Sequence, residues 1–221
     1  MSLRLPDPLA RLYEEQQEDF ESACKWYARL FREAPGDASV REQLQRLGGI
    51  VEDWEFVAET YQAYLDDERG ESEEVREVAI AAGVIYDRRL NNTDAAFVVY
   101  RRALGIEVEP ADLDTATTPM PTARELVRRL EDLLGRSQRW ADLIQIYDDV
   151  ITRTDEDLRR EALVKRARLL EHGLGDPAKA IEAWREVVIV AEEGESPIEV
   201  QTYLEAVAEL ERLFRELVLV P

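Results

Sequence analysis

The sequence contains few of the side chains on which enzymes and metal sites usually depend. Its 221 residues include one cysteine, Cys24, and one histidine, His172. One cysteine cannot form an internal disulfide, and one histidine cannot supply a histidine triad or a histidine metal site. We expect Cys24 to be a small buried residue and His172 to lie near the carbonyl oxygens at a helix end. No glycine-rich phosphate loop or serine elbow is present, so the sequence predicts a non-enzymatic protein without a catalytic, cofactor or metal site.

Positively charged residues are also scarce. The chain has 28 lysines and arginines against 48 aspartates and glutamates, a net charge of -20. Binding to nucleic acid or anionic lipid requires cations that neutralise phosphate, so we expect neither nucleic acid nor a membrane as a partner. A protein partner that binds through charge should be basic. The acidic runs at 66–68 and 155–157 lack the glycine-bearing loop of a calcium site and are predicted to be solvated surface.

Long apolar runs are absent as well. No stretch approaches the roughly 18 apolar residues of a transmembrane helix, and the start, MSLRLPDPL, lacks the apolar core of a signal peptide. Together with the single cysteine, this favours a cytoplasmic location. The hydrophobic content of 45% is ordinary for a folded chain, so we expect a folded protein rather than a disordered one.

The clearest pattern in the sequence lies between residues 163 and 188, which read LVKRARLLEHGLGDPAKAIEAWREVV. Apolar residues recur here at steps of four, three and four, which places them on one stripe of a helix. They are Leu163, Ala167, Leu170 and Leu174. Asp176 and Pro177 then offer an N-cap and a first helical residue, so a second amphipathic helix follows. Two such helices cannot bury both stripes alone, which predicts stacking against neighbouring copies.

This design occurs five times along the chain. Each second helix carries an aromatic anchor, and the anchors are 34, 39, 47 and 37 residues apart. The anchors are Tyr27, Tyr61, Tyr100, Tyr147 and Trp184. Four residues before them stand Ala23, Val57, Ala96, Leu143 and Ala180. Fourteen residues before them stand Tyr13, Leu47, Tyr86, Leu133 and Leu170, and seventeen before them Ala10, Leu44, Gly83, Leu130 and Ala167. Small residues would let the helices of a pair approach while the aromatic rings fill the space between pairs.

The repeats predict a single all-α domain over residues 1–221, a solenoid of about five helix pairs plus a C-terminal helix. The pairs are placed at 7–34, 37–67, 72–104, 121–153 and 155–192, and the last helix at 197–218. No strand-like alternation competes with this interpretation. The proline-rich stretch 105–121 interrupts the repeats and is predicted to be an exposed loop, either a tolerated insertion or a contact for a partner.

The last helix has the pattern of the first member of a sixth pair. Its apolar residues Val200, Tyr203, Val207, Leu210, Phe214 and Leu217 recur at steps of three and four. The residues after it are apolar, whereas a terminal cap should turn a polar face outward. We therefore expect either that the chain is cut from a longer array or that this helix mediates self-association.

The repeats resemble the tetratricopeptide repeat family, in a divergent bacterial form, and a related helical solenoid would fit the same pattern. The family period of 34 residues equals the first step, from Tyr27 to Tyr61. Gly83 and Tyr86 are similar to the family's glycine and tyrosine on a first helix. The residues that resemble its second helix and closing proline are Ala23, Tyr27, Leu30 and Pro35.

The resemblance implies a right-handed superhelix in which the first helices line a concave groove that binds peptide segments. It places groove residues two and six positions before Tyr13 and before the residues that align with Tyr13 on the later first helices. Asp7, six positions before Tyr13, is one of these positions. The groove residues are Arg11, Arg41, Gln45, Ile80, Val84, Val127, Glu131, Val164 and Arg168. Such a groove has an apolar middle flanked by arginines that could hold an acidic side chain of a ligand. The alternative is that these side chains only widen the packing faces of their helices.

Two functions follow as hypotheses. The first is a protein–protein interaction module that binds a peptide or helix segment of a partner in the groove. The second is a structural spacer or self-association segment of a longer repeat protein, with no peptide ligand of its own.

Overall fold

The structure, a computed structural model, describes residues 19–105, 122–153, 156–192 and 197–219. These residues form ten α-helices and no strands. The helices are α1 (Phe20–Glu33), α2 (Ala38–Ile50), α3 (Trp54–Asp67), α4 (Glu73–Arg88), α5 (Thr93–Leu104), α6 (Ala123–Arg136), α7 (Trp140–Arg153), α8 (Glu156–His172), α9 (Pro177–Glu192) and α10 (Pro197–Leu219). The prediction of an all-helical protein is therefore confirmed for the described residues. The first helix at 7–17, with Ala10 and Tyr13, and most of the loop at 105–121 lie outside them.

Short polar side chains begin the helices. The carboxylate of Asp53 accepts a hydrogen bond of 3.0 Å from the N–H of Phe56, and Asp19 caps α1 in the same way through Ser22. Asn92 caps α5, accepting from the N–H of Ala95. Asp176, the N-cap predicted from the sequence, accepts from the N–H of Lys179 at 3.0 Å. These bonds satisfy backbone donors that have no partner within the first turn, which fixes where each helix starts.

The chain divides into two compact units, Met1–Leu126 and Val127–Pro221. The N-terminal unit contains α1 to α5, and the C-terminal unit contains α7 to α10 with most of α6. Helices that follow one another in sequence contact each other in space, in the N-terminal unit from α1 to α5 and in the C-terminal unit from α7 to α10. This is the arrangement expected when each helix pair buries its apolar stripe against its neighbours.

The five anchors occupy the core, as the repeat pattern predicts. Their exposures range from 0% for Tyr61 to 4% for Tyr147, and Trp184 is 1% exposed. The apolar residues four positions before them are also buried. In the N-terminal unit the ring of Phe31 packs against Tyr61, with centroids 4.9 Å apart. In the C-terminal unit Trp184 lies in a cluster with Leu163, Leu170 and Leu213. The same core is thus built repeatedly, one helix pair at a time.

At Gly83 a small residue is required opposite the anchor Tyr100. A Cβ atom added at Gly83 would lie 2.3 Å from Cε1 of Tyr100 and 2.5 Å from Cδ1. Carbon atoms in contact are normally about 3.5 to 4.0 Å apart, so any larger residue would force the buried ring to move. Gly83 therefore brings α4 and α5 into close contact.

One sequence expectation needs correction. Leu174 was placed on the apolar stripe of its helix, but α8 ends at His172 and Leu174 lies in the turn, 45% exposed. The turn reverses the chain at Gly175, whose φ is +64°. Among the described side chains of α10, Ala206 and Leu213 are buried, and Leu210 of the predicted pattern is partly buried against the same cluster.

None of the described helices is long and apolar enough to span a membrane.

Replacing Trp184 by alanine should lower the free energy of unfolding by about 3 to 5 kcal/mol, because a buried large aromatic leaves a cavity. Urea denaturation followed by circular dichroism measures this change. Ile189→Ala is the matched control on the same helix, since Ile189 is 60% exposed and should cost less than about 0.5 kcal/mol. Equal losses in the two variants would show that Trp184 is not a core anchor.

Gly83→Ala should destabilise the protein by about 1 to 3 kcal/mol, because the methyl group overpacks the contact with Tyr100. Gly135→Ala is the control, since the nearest neighbour of its added Cβ, an atom of Trp140, is at the ordinary distance of 4.0 Å. There alanine should be neutral or should stabilise the helix by up to about 1 kcal/mol. Thermal melts of both variants test the difference, and a Gly83→Ala variant as stable as the parent would contradict the close contact.

Cys24 should react with thiol reagents about 100-fold more slowly in the folded protein at pH 8 than in denaturant. The side chain is 2% exposed, and burial raises the pKa of its thiol to about 11 from 9.0. Because the unfolded thiol ionises first, the free energy of unfolding should also fall as the pH rises from about 9 towards 11. Absorbance after addition of a chromogenic disulfide, with and without denaturant, measures the rates. Similar rates would contradict the burial.

Candidate functional site

The residues predicted to line the groove lie on first helices, α2 and α4 in the N-terminal unit and α6 and α8 in the C-terminal unit. We call these two sets of side chains the first-helix faces. Eight of the nine predicted residues are described, and Arg11 lies outside the described residues, as does Asp7.

Arg41 on α2 is engaged by its own chain. It is 8% exposed, and its Nη1 donates to the carbonyl oxygen of Pro35 at 2.5 Å. Its Nη2 donates to Oε2 of Glu77 on α4, also at 2.5 Å. A guanidinium group offers several donors in a fixed plane, which suits it to join the end of α1 to a neighbouring first helix. Arg41 therefore connects three helices.

Gln45 belongs to a chain of hydrogen bonds beneath the first-helix face. Its Nε2 donates to the hydroxyl of Tyr61 at 3.2 Å, and that hydroxyl donates to the carbonyl oxygen of Arg41 at 3.3 Å. Burial raises the pKa of Tyr61 to about 12, so the hydroxyl stays protonated and available as a donor. A buried tyrosine needs such partners, and here a groove position supplies one.

The same arrangement recurs in the C-terminal unit. The hydroxyl of Tyr147 donates to Oε1 of Glu131 at 3.1 Å, and burial with the nearby carboxylate raises the pKa of Tyr147. Gln45 precedes Tyr61 by 16 residues, and Glu131 precedes Tyr147 by 16 residues. A polar residue at this offset from a tyrosine anchor is a sequence signal for the contact.

Val84 is the exposed apolar residue of the N-terminal first-helix face. It is 37% exposed, whereas Ile80, one turn earlier on α4, is 8% exposed and belongs to the core. Ala81 beside them is half-buried. This unit therefore presents a small apolar area centred on Val84.

The apolar groove residues of the C-terminal unit contribute mainly to packing. Val127 on α6 is buried, and Val164 on α8 is half-buried against the cluster around Trp184. The accessible part of this face is polar. It includes Glu131, Lys165 and Glu161, which are each about one quarter to one third exposed, and Arg168, which is 54% exposed.

Lys165 joins two first helices in this unit. Its Nζ lies 2.8 Å from Oε1 of Glu131 on α6 and 2.8 Å from Oε1 of Glu161 on its own helix. Burial lowers the pKa of Lys165, but the hydrogen bonds to the two carboxylates outweigh it and the net shift is upward. Lys165 thus stays charged and holds the carboxylates together.

Arg168, the last predicted groove residue, also forms an ion pair. Its guanidinium contacts Glu205 on α10. Three ion pairs that involve predicted groove positions join Arg41 to Glu77, Glu131 to Lys165, and Arg168 to Glu205, at sequence separations of 36, 34 and 37. A further ion pair joins Glu171 on α8 to Arg212 on α10. Opposite charges about one repeat apart are therefore the signal that sequence reasoning missed, since it considered the groove positions without their partners.

Arginines outside the groove positions fasten helix ends in the N-terminal unit. Arg102 on α5 donates to the carbonyl oxygens of Leu65 and Glu68 at the end of α3. Arg76 on α4 is buried and donates to the carbonyl oxygen of Ala103 at 3.2 Å. Cations stabilise the C-terminal end of a helix because its last carbonyl groups carry partial negative charge.

An acidic cleft lies in the N-terminal unit where α1 and α3 end and α4 begins. Its volume is about 640 Å³, and Asp67, Glu68 and Glu74 contribute carboxylates against the single cation Arg32. Tyr64 closes one wall and donates to Oε1 of Glu74 at 2.9 Å. The remaining lining residues are Pro35, Ala63 and Ser72. The cleft is suited to a cationic group.

The described residues contain no cluster of histidine, cysteine and carboxylates that could hold a metal ion. His172 is exposed and lies 3.7 Å from Oε1 of Glu171, a carboxylate that also contacts Arg212. Cys24 is buried, and burial raises the pKa of its thiol to about 11.

A comparison with family models matches residues 161–189, the second half of α8 with the turn and most of α9, to the model described as tetratricopeptide repeat. No curated protein matches the chain. Repeats of this family generally mediate protein–protein contacts and are generally non-enzymatic. Together with the consecutively packed helices of the described residues, this match over residues 161–189 supports a tetratricopeptide-like helical repeat.

Proposed function

We propose that this protein is a non-enzymatic interaction module whose first-helix faces form a groove for a peptide or helix segment of a partner protein. The observation that carries the proposal is the tetratricopeptide match over residues 161–189. The proposal includes a single domain in which the helix pairs wind as a right-handed superhelix. The partner segment would lie along the inner surface of that superhelix.

The polarity of the first-helix faces indicates how such a segment would be held. Val84 offers an apolar contact, and Glu131, Lys165 and Glu161 offer partly exposed donors and acceptors for the main chain of an extended peptide. Ion pairs between neighbouring first helices hold these side chains in place. A face that is ordered before binding loses less conformational entropy when the ligand arrives, which favours affinity.

Charge supports a basic partner. The net charge is -20, and the acidic cleft adds a local site for a lysine or arginine side chain. Complementary charge speeds encounter between proteins and suppresses binding to acidic competitors.

A specific observation favours the alternative of a structural spacer or self-association segment. Arg41 and Arg168, which would hold an acidic side chain of a ligand, already contact Glu77 and Glu205. A spacer would use these positions to stiffen the array, and it would have no peptide ligand in the groove.

Val84→Glu should abolish capture of the groove partner. The tagged full chain is incubated with lysate of the source cell, crosslinked and analysed by mass spectrometry beside two variants. Val98→Glu is the matched control, because Val98 is 60% exposed on α5, the second helix of the same pair. A groove binder predicts a protein that the parent and Val98→Glu retain and that Val84→Glu loses at least tenfold. Identical recovery by all three, or no recovered protein, favours the spacer.

A further inference from the structure

Helix α10 carries a second surface that the proposed groove does not use. Val200, Leu204 and Phe214 are 51%, 57% and 42% exposed, although all three are large apolar residues. Residues 200, 204, 207, 211 and 214 follow steps of four, three, four and three, so they form one stripe of the helix. We call them the α10 stripe. Surface leucine or phenylalanine residues are ordinary singly, whereas an aligned set on one helix indicates a contact surface.

Aligning α10 with the earlier first helices shows which face of those helices the α10 stripe corresponds to. The first helices α2, α4 and α8 each have one face towards the preceding second helix and another towards their own second helix. On α10 the first of these faces is filled, since the buried Ala206 and Leu213 join the cluster that contains Trp184 of α9. Their equivalents on α4 are Val78 and Ile85, which are also buried.

The α10 stripe is the register equivalent of the other face, the one that holds a second helix. Phe214 aligns with Leu47, Tyr86, Leu133 and Leu170, all buried, and Val207 aligns with the buried Leu163 of α8. Leu163 and Leu170 pack with Trp184 of their own second helix. On α10 the aligned Phe214 is exposed, with Arg185 of α9 stacked 5.6 Å from its ring centroid at the edge of the stripe.

One residue of the stripe departs from the pattern and indicates the charge of the occupant. The position three residues before Phe214 holds Glu211, where the earlier pairs have Leu44, Gly83, Leu130 and Ala167. The side chain of Glu211 is 63% exposed and pairs with Arg215 on its own helix. An apolar helix laid on this stripe would have to face that carboxylate, which a lysine or arginine would satisfy.

From this register and charge we propose that the α10 stripe is a docking site for an amphipathic α-helix of a partner protein, with a basic residue facing Glu211. The partner helix would take the position of a second helix and pack its apolar side on Val200, Leu204, Val207 and Phe214. A second copy of the chain fits less well, because each copy has a net charge of -20.

The probe is a labelled 16-residue peptide with the sequence of α9, residues 177–192, carrying Glu182→Lys, Glu186→Lys and Glu192→Lys. Helix α9 covers the equivalent face of α8, and these three glutamates are exposed there, so the changes make the peptide basic without altering its apolar side. Fluorescence anisotropy against the full chain should show saturable binding. Leu204→Asp should weaken it at least tenfold. Ile189→Asp, at an equally exposed residue of α9 outside the stripe, should leave it within about twofold.

A second variant tests the charge. Glu211→Lys should weaken binding of the basic peptide at least threefold and should strengthen binding of the unmodified α9 peptide. Circular dichroism confirms that each variant keeps its helices, as expected for exposed positions. Val84→Glu should not change peptide binding, which separates this site from the groove.

Three results would overturn the proposal. The first is no saturable binding of the basic peptide, and the second is equal binding by the parent and Leu204→Asp. The third is a dimer in sedimentation equilibrium that Leu204→Asp dissociates, because the stripe would then be covered by a second copy of the chain.

Discussion

The burial of a bulky anchor from each second helix between neighbouring helices determines how the helices of this protein pack. A pair of helices has an apolar stripe on each member, and neither stripe can be hidden by the pair alone. At Gly83 the ring of Tyr100 approaches so closely that no side chain fits, and Trp184 fills the corresponding space between its neighbours. Within each unit a pair therefore depends on its neighbour for part of its core, and the pattern recurs at intervals near 34 to 47 residues because one pair occupies that length.

The polar contacts of the first-helix faces follow from the same geometry. An anchor tyrosine buries its ring between helices, so its hydroxyl must find a partner there, and Gln45 and Glu131 provide one in two different pairs. Stacking also brings positions about one turn apart on neighbouring first helices together, which places Arg41 near Glu77 and Lys165 near Glu131. The ion pairs help to fix the register between helix pairs. The pair of Lys165 with Glu131 is partly exposed, and such a pair contributes only about 0 to 1 kcal/mol, so its effect is on geometry more than on stability.

The sequence was sufficient to predict what depends on local pattern. The helices, the buried anchors and the cap at Asp176 follow from residue spacing and from the chemistry of short polar side chains. The chemistry of the first-helix faces was harder, because it depends on contacts about one repeat away. Arg41 and Arg168 are carboxylate-binding residues by type, and only the fold shows that Glu77 and Glu205 already occupy them. The spacing of the apolar residues in α10 was predicted from the sequence, but which of them are buried was not, since a helix with apolar residues on two adjacent faces does not itself specify which face packs on its neighbour.

The two apolar faces of α10 have different environments. Within the C-terminal unit α9 offers one surface for α10, and Ala206 and Leu213 pack against it. The apolar residues Val200, Leu204 and Phe214 then remain exposed on the adjacent face. A helix whose role was only to end the core would carry polar residues there, because exposed apolar area adds to aggregation without adding to folding stability. Glu211, with its partner Arg215, places charge at one position along the apolar surface. This charge limits non-specific association and leaves space for a helix that carries the opposite charge to Glu211.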